Sequence, residues 1–406
     1  MKTLQKVLNA IQLRRTKKQK AADVKLPPLN IVVKYHEQSE QERDFYESLY
    51  KESSAKFDTY VKKGTLLHNY AHIFELISRL RQAVNHPYLV TLGKGAQLDR
   101  AAADAYAYDG PEAQKAPAAP AQHHVCAICH EGIAPEEYAA ADCGHEFHRE
   151  CVLQYITTLP VGAKLKCPAC FTAMTIDLDA QVAPPEAAAE DGTPAKDAAG
   201  APAAPPAPPV KAKKKRVSKK SILSRIDPDH FASSSKVELL LKEVQGMLAK
   251  APGSKGIVFS QYTHMLEIVE WRLEKLGVKT VKLLGSMPAV MRRSVLAAFK
   301  ADPSINVILL SLKAGGEGLN LQIATHVFVI EPWWNPAVEM QAIQRAHRIG
   351  QTKAVTAVRF ATKGTIEERM MQLQEKKQLV FDGTIDNSAE AMQSLNKDDL
   401  AFLFRS

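Results

Sequence analysis

The residues best suited to chemistry form a spaced series of six cysteines and two histidines. The series reads C-x2-C-x13-C-x-H-x2-H-x2-C-x15-C-x2-C, and its members are Cys126, Cys129, Cys143, His145, His148, Cys151, Cys167 and Cys170. Eight thiolate and imidazole ligands suffice for two tetrahedral zinc ions, and four protein ligands per ion leave no open position for catalysis. Every cysteine of the chain belongs to the series and no secretory signal is present, so the pattern favours two structural zinc ions over disulfides. Spacing alone leaves open which ligands share an ion.

A second stretch, residues 305–351, has the composition of a phosphate site. An apolar strand pattern at 305–310 leads into a glycine-rich turn, and another strand pattern follows at 326–330. The turn contains Gly315, Gly316 and Gly318. Glycines at such a turn allow the backbone to approach a ligand closely.

The helix expected after the second strand carries two arginines. Asn335 suits its N-cap and Gly350 its end. Gln341, Arg345 and Arg348 are spaced four and three residues apart, which predicts that they project from one helical face. Two guanidinium groups beside a glycine turn match the charge of a transferring phosphate. The alternative is a surface helix with solvated arginines; the neighbouring glycine turn and strands favour phosphate chemistry.

The elements that must position these residues differ along the chain. Residues 1–92 have helical spacing, with a capping box at Ser39 and Glu42. Strands and helices alternate over 221–381, where Ser235 and Glu238 suggest another capping box. This alternation predicts an α/β fold with a parallel sheet and helices on both faces.

Composition sets the boundaries between these parts. We expect a helical connector at 1–92, a linker at 93–122, a zinc module at 123–175, an Ala/Pro-rich disordered linker with a basic cluster at 176–220, the α/β domain at 221–381 and an extension at 382–406. No signal peptide and no apolar run long enough to span a bilayer occur, which predicts an intracellular soluble protein.

The positive charge is concentrated in two segments. The net charge is +9, yet residues 1–20 and 211–220 each hold seven Lys or Arg and no acid, which leaves −5 for the rest of the chain. A surface uniformly suited to nucleic acid is therefore not implied. The cluster at 211–220 is typical of a nuclear-import signal or of a tail that contacts phosphates; the plainer alternative is a solvated charge run.

The zinc series resembles a RING finger. That resemblance implies a cross-brace in which Cys126, Cys129, His148 and Cys151 hold one ion and Cys143, His145, Cys167 and Cys170 hold the other. In RING ubiquitin ligases an apolar groove receives the ubiquitin-conjugating enzyme, and Ile128, Tyr155 and Pro168 stand at the matching positions. Phe171 replaces the basic residue that often follows the last ligand. The resemblance implies a ubiquitin ligase, with a plain interaction module as the alternative.

Residues 235–377 resemble the second, RecA-like ATPase lobe of Swi/Snf-type superfamily-two DNA translocases. The motifs are IVFSQY (257–262), LLGSM (283–287), SLKAGGEGLNL (311–321), EPWWNP (331–336) and QAIQRAHRIGQ (341–351). The resemblance implies that Arg345 and Arg348 are arginine fingers. It places Gly316, Glu317, Gly318 and Gln341 beside the nucleotide and Ser260, Gln261, Ser286 and Lys313 on the DNA backbone. A RING between connector and lobe resembles the nucleotide-excision-repair subgroup that contains yeast Rad-sixteen.

The sequence lacks the residues that would cradle the phosphates. No G-x-x-x-x-G-K-[ST] motif and no Asp-Glu-x-His box occur. We therefore expect a carboxy-terminal half that binds ATP with Mg²⁺ only together with a first lobe and hydrolyses none alone. The expected partners are duplex DNA or chromatin, a ubiquitin-conjugating enzyme and repair cofactors, in the nucleus and not at a membrane. The alternative function is a RING ligase or scaffold whose lobe is a non-catalytic docking module.

Overall fold

The computed structural model describes most of the chain outside its low-complexity segments. The described residues are 26–66, 70–92, 124, 126–128, 133, 137–159, 165–170, 172–177, 221–285, 287–312, 319–383 and 397–404. Among the helices in these ranges, none has the length and apolar character needed to cross a bilayer.

A six-stranded parallel sheet forms the centre of the larger domain. Its strands are β1 (Leu29–His36), β5 (Gly256–Ser260), β6 (Lys279–Leu283), β7 (Ile305–Ser311), β8 (His326–Val329) and β9 (Val355–Thr362), and their spatial order is β1-β9-β8-β5-β7-β6. The central strand β5 is buried at every residue. Its unbroken apolar sequence is therefore what a parallel strand covered on both faces requires.

Helices cover both faces of this sheet. They are α5 (Ser235–Lys250), α6 (Thr263–Lys275), α7 (Ala289–Ala301), α8 (Pro336–Ile343) and α9 (Ile366–Gly383). Because side chains alternate along a strand, Val258 joins the core beneath α5 and α6, whereas Ile257 and Phe259 join the core beneath α7 and α8. The predicted architecture is confirmed. One detail differs: Ser234, not Ser235, caps α5, because its side chain accepts the bond from the Val237 N–H.

The amino-terminal part of the described chain is built onto this domain. Strand β1 is the edge strand of the large sheet and pairs with β9 in parallel, so part of the segment expected to be connector completes the lobe. Helix α1 (Glu40–Lys62) begins with the expected capping box of Ser39 and Glu42. Helices α2 (Tyr70–Asn85) and α3 (Pro87–Thr91) follow.

The cysteine-rich module is small and shares its core with those helices. Its sheet contains β2 (Tyr138–Ala141), β3 (Glu146–His148) and β4 (Ile176–Asp177) in the order β3-β2-β4, with helix α4 (Arg149–Thr158) packed beside it. Phe147 and Tyr155 of the module belong to the same buried cluster as Phe57, Phe74 and the final helix α10 (Lys397–Phe404).

Candidate functional site

Four predicted ligands meet in one part of the cysteine-rich module. The ligand atoms of Cys143, His145, Cys167 and Cys170 all lie within 4.8 Å of one another. Gly144, with a φ of 82°, makes the tight turn that carries the first two. The backbone N–H of Ala169 donates to the Cys167 thiol at 3.4 Å, which fixes the turn that carries the other two. Soft ligands at this separation fit a tetrahedral zinc ion.

The two turn thiols of this cluster have opposite pKa shifts. Burial raises the pKa of Cys167 to about 12. A hydrogen bond with the Thr172 hydroxyl, at 3.0 Å, lowers the pKa of Cys170 to about 6. Burial disfavours the Cys167 thiolate, and a metal ion held by the four clustered ligands would stabilise it.

A second cluster contains the other group of predicted ligands. The ligand atoms of Cys126, His148 and Cys151 lie within 4.8 Å of one another, and all three residues are buried. Cys129, the remaining predicted ligand, lies outside the described residues. The carboxylate of Glu137 lies 3.9 Å from Nε2 of His148. The ligands of the two clusters interleave along the chain in the grouping that the RING resemblance implies.

The three residues expected in the enzyme-binding groove are all buried. Ile128 is 8% exposed and Tyr155 is 1% exposed, and Pro168 is buried as well. The Tyr155 hydroxyl donates to the Lys166 carbonyl at 2.9 Å. Its ring meets Phe74 of α2 edge-on, with the ring centroids 5.9 Å apart. Phe171 lies outside the described residues.

At the other predicted site, Ser260 and Gln261 lie where β5 ends. Because all six strands are parallel, their carboxyl ends share one edge of the sheet, where ligands of open α/β folds bind. Ser260 is 0% exposed, however, and its hydroxyl donates to Glu331 at 3.0 Å. Direct contact of its side chain with DNA is therefore not supported by this arrangement; Ser260 instead orients the segment after β5. Gln261 is 9% exposed and its N–H donates to the same carboxylate.

Glu331 is the centre of a buried polar group that sequence reasoning did not identify. Burial raises its pKa to about 7, although hydrogen bonds from Gln261 and Ser260 and the charges of Lys236 and Arg81 act in the opposite direction. The Asn85 amide of α2 approaches it at 3.4 Å. A glutamate four residues before the predicted N-cap gave no signal of burial, because its partners come from distant segments.

Helix α2, which carries Asn85, also contacts the EPWWNP segment through Arg81. The guanidinium of Arg81 donates to the Pro332 carbonyl at 2.7 Å and lies 4.9 Å from the ring centroid of Trp334. Lys236, fully buried, donates to Asn85 at 2.8 Å and also pairs with Glu367. Burial lowers the pKa of Lys236, and Glu367 opposes that shift.

The predicted arginines lie on a loop and not on one helical face. Helix α8 ends at Ile343, and residues 344–350 form successive turns. Gln341 is exposed on the last turn of the helix, Arg345 is half-buried and Arg348 is exposed. The N–H of Leu321, which follows the glycine stretch, donates to the Arg345 carbonyl at 3.2 Å. This bond ties the segment that follows the glycine stretch to the arginine loop.

Gln351 holds the arginine loop in shape, a role that the sequence did not reveal. Its side-chain amide donates to the carbonyls of Gln322 at 2.7 Å, Ala324 at 3.0 Å and Ala346 at 3.2 Å. Its oxygen accepts from the N–H groups of Thr352 and Lys353. A side chain with five backbone partners adds to the local turn bonds of this loop and ties it to the segment before β8.

Several predicted site residues lie outside the described residues. They are Cys129, Ser286, Lys313, Gly316, Glu317 and Gly318. The residues that flank the glycine stretch are placed: the Leu312 N–H donates to the Ser260 carbonyl at 2.9 Å, whereas Leu321 bonds to the arginine loop. The described residues on the two sides of the stretch are therefore bonded to Ser260, next to Gln261, and to Arg345.

Comparison with family models gives three matches along the chain. An SNF2-related domain matches residues 1–89, a Ring finger domain matches 124–171, and a helicase conserved C-terminal domain matches 235–350. The order is that of the connector, the cysteine-rich module and the α/β domain described above.

Individual proteins match over nearly the whole chain. The chain is 38% identical over 403 residues to the ATP-dependent helicase rhp16 of Schizosaccharomyces pombe, covering 99% of this chain and 42% of that protein. It is 35% identical over 430 residues to the DNA repair protein RAD5A of Arabidopsis thaliana, covering 100% of this chain and 37% of that protein. The chain thus spans about two fifths of the length of these relatives. The crystal structure of the C-terminal part of the Fun30 ATPase domain shares the fold at 20% identity, with a TM-score of 0.50 and coverage of 93% of this chain and 97% of that one.

Proposed function

We propose that this chain, which belongs to the RING-containing Swi/Snf-type subgroup of superfamily two, is the second-lobe part of an ATP-dependent DNA translocase. The translocase would act in nucleotide-excision repair, and its RING finger would be a ubiquitin ligase. The observation that supports the motor role best is the bond between Leu321 and the Arg345 carbonyl. It joins the segment that follows the glycine stretch to the arginine loop.

In this proposal Arg345 and Arg348 act on a nucleotide that another lobe holds. The sequence contains no phosphate loop, so the cradle for ATP and Mg²⁺ is expected on the partner lobe of the motor. The arginines would stabilise charge on the transferring phosphoryl group, and Gln341, Gly316, Glu317 and Gly318 would line the same side of the cleft. Gln351 would keep the loop in position.

We place the DNA-facing surface near the carboxyl edge of the sheet. Ser286 and Lys313 would contact the phosphate backbone, which gives grip without sequence preference, whereas Gln261 is buried like Ser260 and bonds to Glu331 through its N–H. Ser260 contributes indirectly through Glu331. The basic cluster at 211–220 adds a nuclear-import signal in this proposal, and its deletion should leave the protein in the cytoplasm. Unchanged nuclear accumulation would reject that assignment.

The RING finger would hold two structural zinc ions and bind a ubiquitin-conjugating enzyme. The clusters of four and three described ligands support the zinc sites, and four ligands per ion, with Cys129 as the fourth of the second site, would restrict both to a structural role. The enzyme would contact Ile128, Tyr155 and Pro168. Ubiquitin-chain formation should vanish in Cys126→Ser, which removes a ligand, and weaken in Ile128→Ala, which keeps both zinc ions. If neither change matters, the RING serves only as an interaction surface.

The motor role is tested by supplying the phosphate-binding lobe. We would fuse the chain to the preceding part of the fission-yeast relative and measure DNA-stimulated ATP hydrolysis. Arg345→Ala should lower the rate by about 10³-fold or more, as loss of an arginine finger does. Arg43→Ala removes an exposed arginine of α1 and is the matched control. Equal rates for both variants would exclude Arg345 from catalysis, and an inactive parent fusion with intact DNA binding would favour a docking module.

A further inference from the structure

The expected enzyme-binding groove is covered from within the chain. Helix α2 contributes Phe74, which is 5% exposed and packs edge-on against Tyr155. Ile128, Tyr155 and Phe74 belong to one buried cluster together with further residues of α1 and α2. A surface that receives a partner protein has to expose its central apolar residues, yet the groove residues here are buried.

The same aromatic contact continues into the motor lobe. The ring of Phe74 lies 6.3 Å from that of Trp334 in the EPWWNP segment. Phe74 therefore touches the RING on one side and the lobe on the other. Trp334 is itself held by the Arg81 guanidinium, 4.9 Å from its ring centroid. The residue that covers the groove is thus fixed by the motor lobe and is not a loose side chain.

The RING also approaches the lobe at a different point. The carboxylate of Glu137 lies directly against Gly285 of the LLGSM segment, so closely that any side chain at Gly285 would collide with it. Glu137 also lies beside His148, one of the predicted zinc ligands. The module therefore contacts the rest of the chain at two places: Tyr155 packs on Phe74 of α2, and Glu137 lies against Gly285 of the lobe.

From these contacts we infer that the chain inhibits its own RING finger: helix α2, through Phe74, occupies the groove that a ubiquitin-conjugating enzyme would bind, and the enzyme binds when the RING leaves this position. The inference rests on the proposed ligase function. It makes access to the groove dependent on the state of the lobe, because Phe74 and Trp334 pack together. The apparent affinity for the enzyme equals the affinity of the exposed groove multiplied by the fraction of molecules in which the groove is exposed.

The effect can be measured through affinity for the enzyme. Loss of the edge-to-face aromatic pair and of the apolar contact around it should shift the equilibrium from the docked to the released state by at least about tenfold. We therefore expect Phe74→Ala to bind at least about tenfold more tightly than the parent chain. Phe74→Leu, which keeps apolar volume but loses the aromatic edge contact, should give a smaller gain. Leu80→Ala, buried on the same helix, controls for general loosening of α2.

The experiment uses the whole chain and a panel of purified ubiquitin-conjugating enzymes, each labelled with a fluorophore for anisotropy titration. Zinc content and cooperative unfolding show which variants keep their fold. Tighter binding by the Phe74 variants, with parent-like affinity for Leu80→Ala, supports the inference, and adding Ile128→Ala should remove the binding gained.

Two results would overturn it. If the parent and the Phe74 variants bind equally and Ile128→Ala abolishes binding in both, the groove is functional but α2 does not restrict it. If no variant binds any enzyme while zinc content is retained, the enzyme-binding role itself fails, and the inference fails with it. The two failures are distinguished by whether the parent chain binds an enzyme in a way that Ile128→Ala abolishes.

Discussion

The buried carboxylate of Glu331 should make the stability of the lobe depend on pH. Burial raises its pKa from the ordinary 4.5 to about 7. A carboxyl group with a raised pKa in the folded state favours folding while it is protonated. Its contribution is therefore complete below pH 4.5 and is lost as the pH rises through 7, because the unfolded chain ionises more readily.

The size of this effect follows from the shift. The rise in the pKa of Glu331 from 4.5 to about 7 corresponds, at about 1.4 kcal/mol per pH unit, to about 3–4 kcal/mol between the two limits. Of that, about 2–3 kcal/mol falls between pH 5 and pH 8. The Glu331→Gln variant cannot ionise there but keeps an oxygen that accepts the Gln261 N–H. We expect the variant to gain this amount over the parent when the pH is raised.

The assay is urea unfolding at pH 5 and pH 8, followed by tryptophan fluorescence, because Trp333 and Trp334 adjoin Glu331 in the chain. Subtracting the parent from the variant at each pH removes the titration of all other groups. A difference that stays the same at pH 5 and pH 8 would refute the argument. It would mean that Glu331 keeps an ordinary pKa and that water or a closer cation reaches its site.

Three further predictions concern other buried groups. Removal of zinc by a chelator should release two ions per chain and unfold the RING, whereas Cys143→Ser should lose one ion while keeping the other; elemental analysis and circular dichroism measure both. Burial lowers the pKa of His86 to about 4, so stability should fall as the pH drops from 6.5 towards 4, and less so in His86→Asn, which keeps the cap acceptor for the Tyr88 N–H. Lys236→Met should cost about 3–5 kcal/mol, since it leaves Glu367 buried without its partner, and a second change, Glu367→Gln, should recover part of that loss in urea unfolding.

Sequence patterns were sufficient for the features that depend on local spacing. Unbroken apolar runs separated by helices predicted the parallel sheet, and the Ser39 and Glu42 pair predicted the start of α1. The interleaved ligand grouping came from resemblance, since spacing fits several pairings equally well. The cap of α5 was misplaced by one residue because Ser234 and Ser235 are both good caps; the hydroxyl of Ser235 bonds to Glu42 instead.

Features that depend on distant segments could not be predicted in this way. Helical spacing placed Arg345 and Arg348 on one face, but the helix ends at Ile343 and the chain continues in turns. Gln351 bonds these turns to the carbonyls of Gln322 and Ala324, in the segment before β8. Ser260 looked like an exposed contact because its motif faces DNA in the family it resembles. Its burial became evident only with Glu331, whose position at the end of a neighbouring strand no local pattern encodes.

Helix α2 is the element through which the two proposed activities would influence each other. Near one end it presents Phe74 to the RING, and near the other Arg81 holds Pro332 and Trp334. The neighbouring Trp333 N–H donates to Glu339 at 2.6 Å, and Glu339 lies on α8, the helix that leads into the arginine loop. Direct contacts and chain connectivity thus link α8, which precedes the arginine loop, to Phe74 and Tyr155. A change in the arginine loop on nucleotide binding would reach the RING by this route. The coupling between the two sites can be measured by comparing the gain in enzyme affinity caused by Phe74→Leu in the parent chain and in the Arg345→Ala variant.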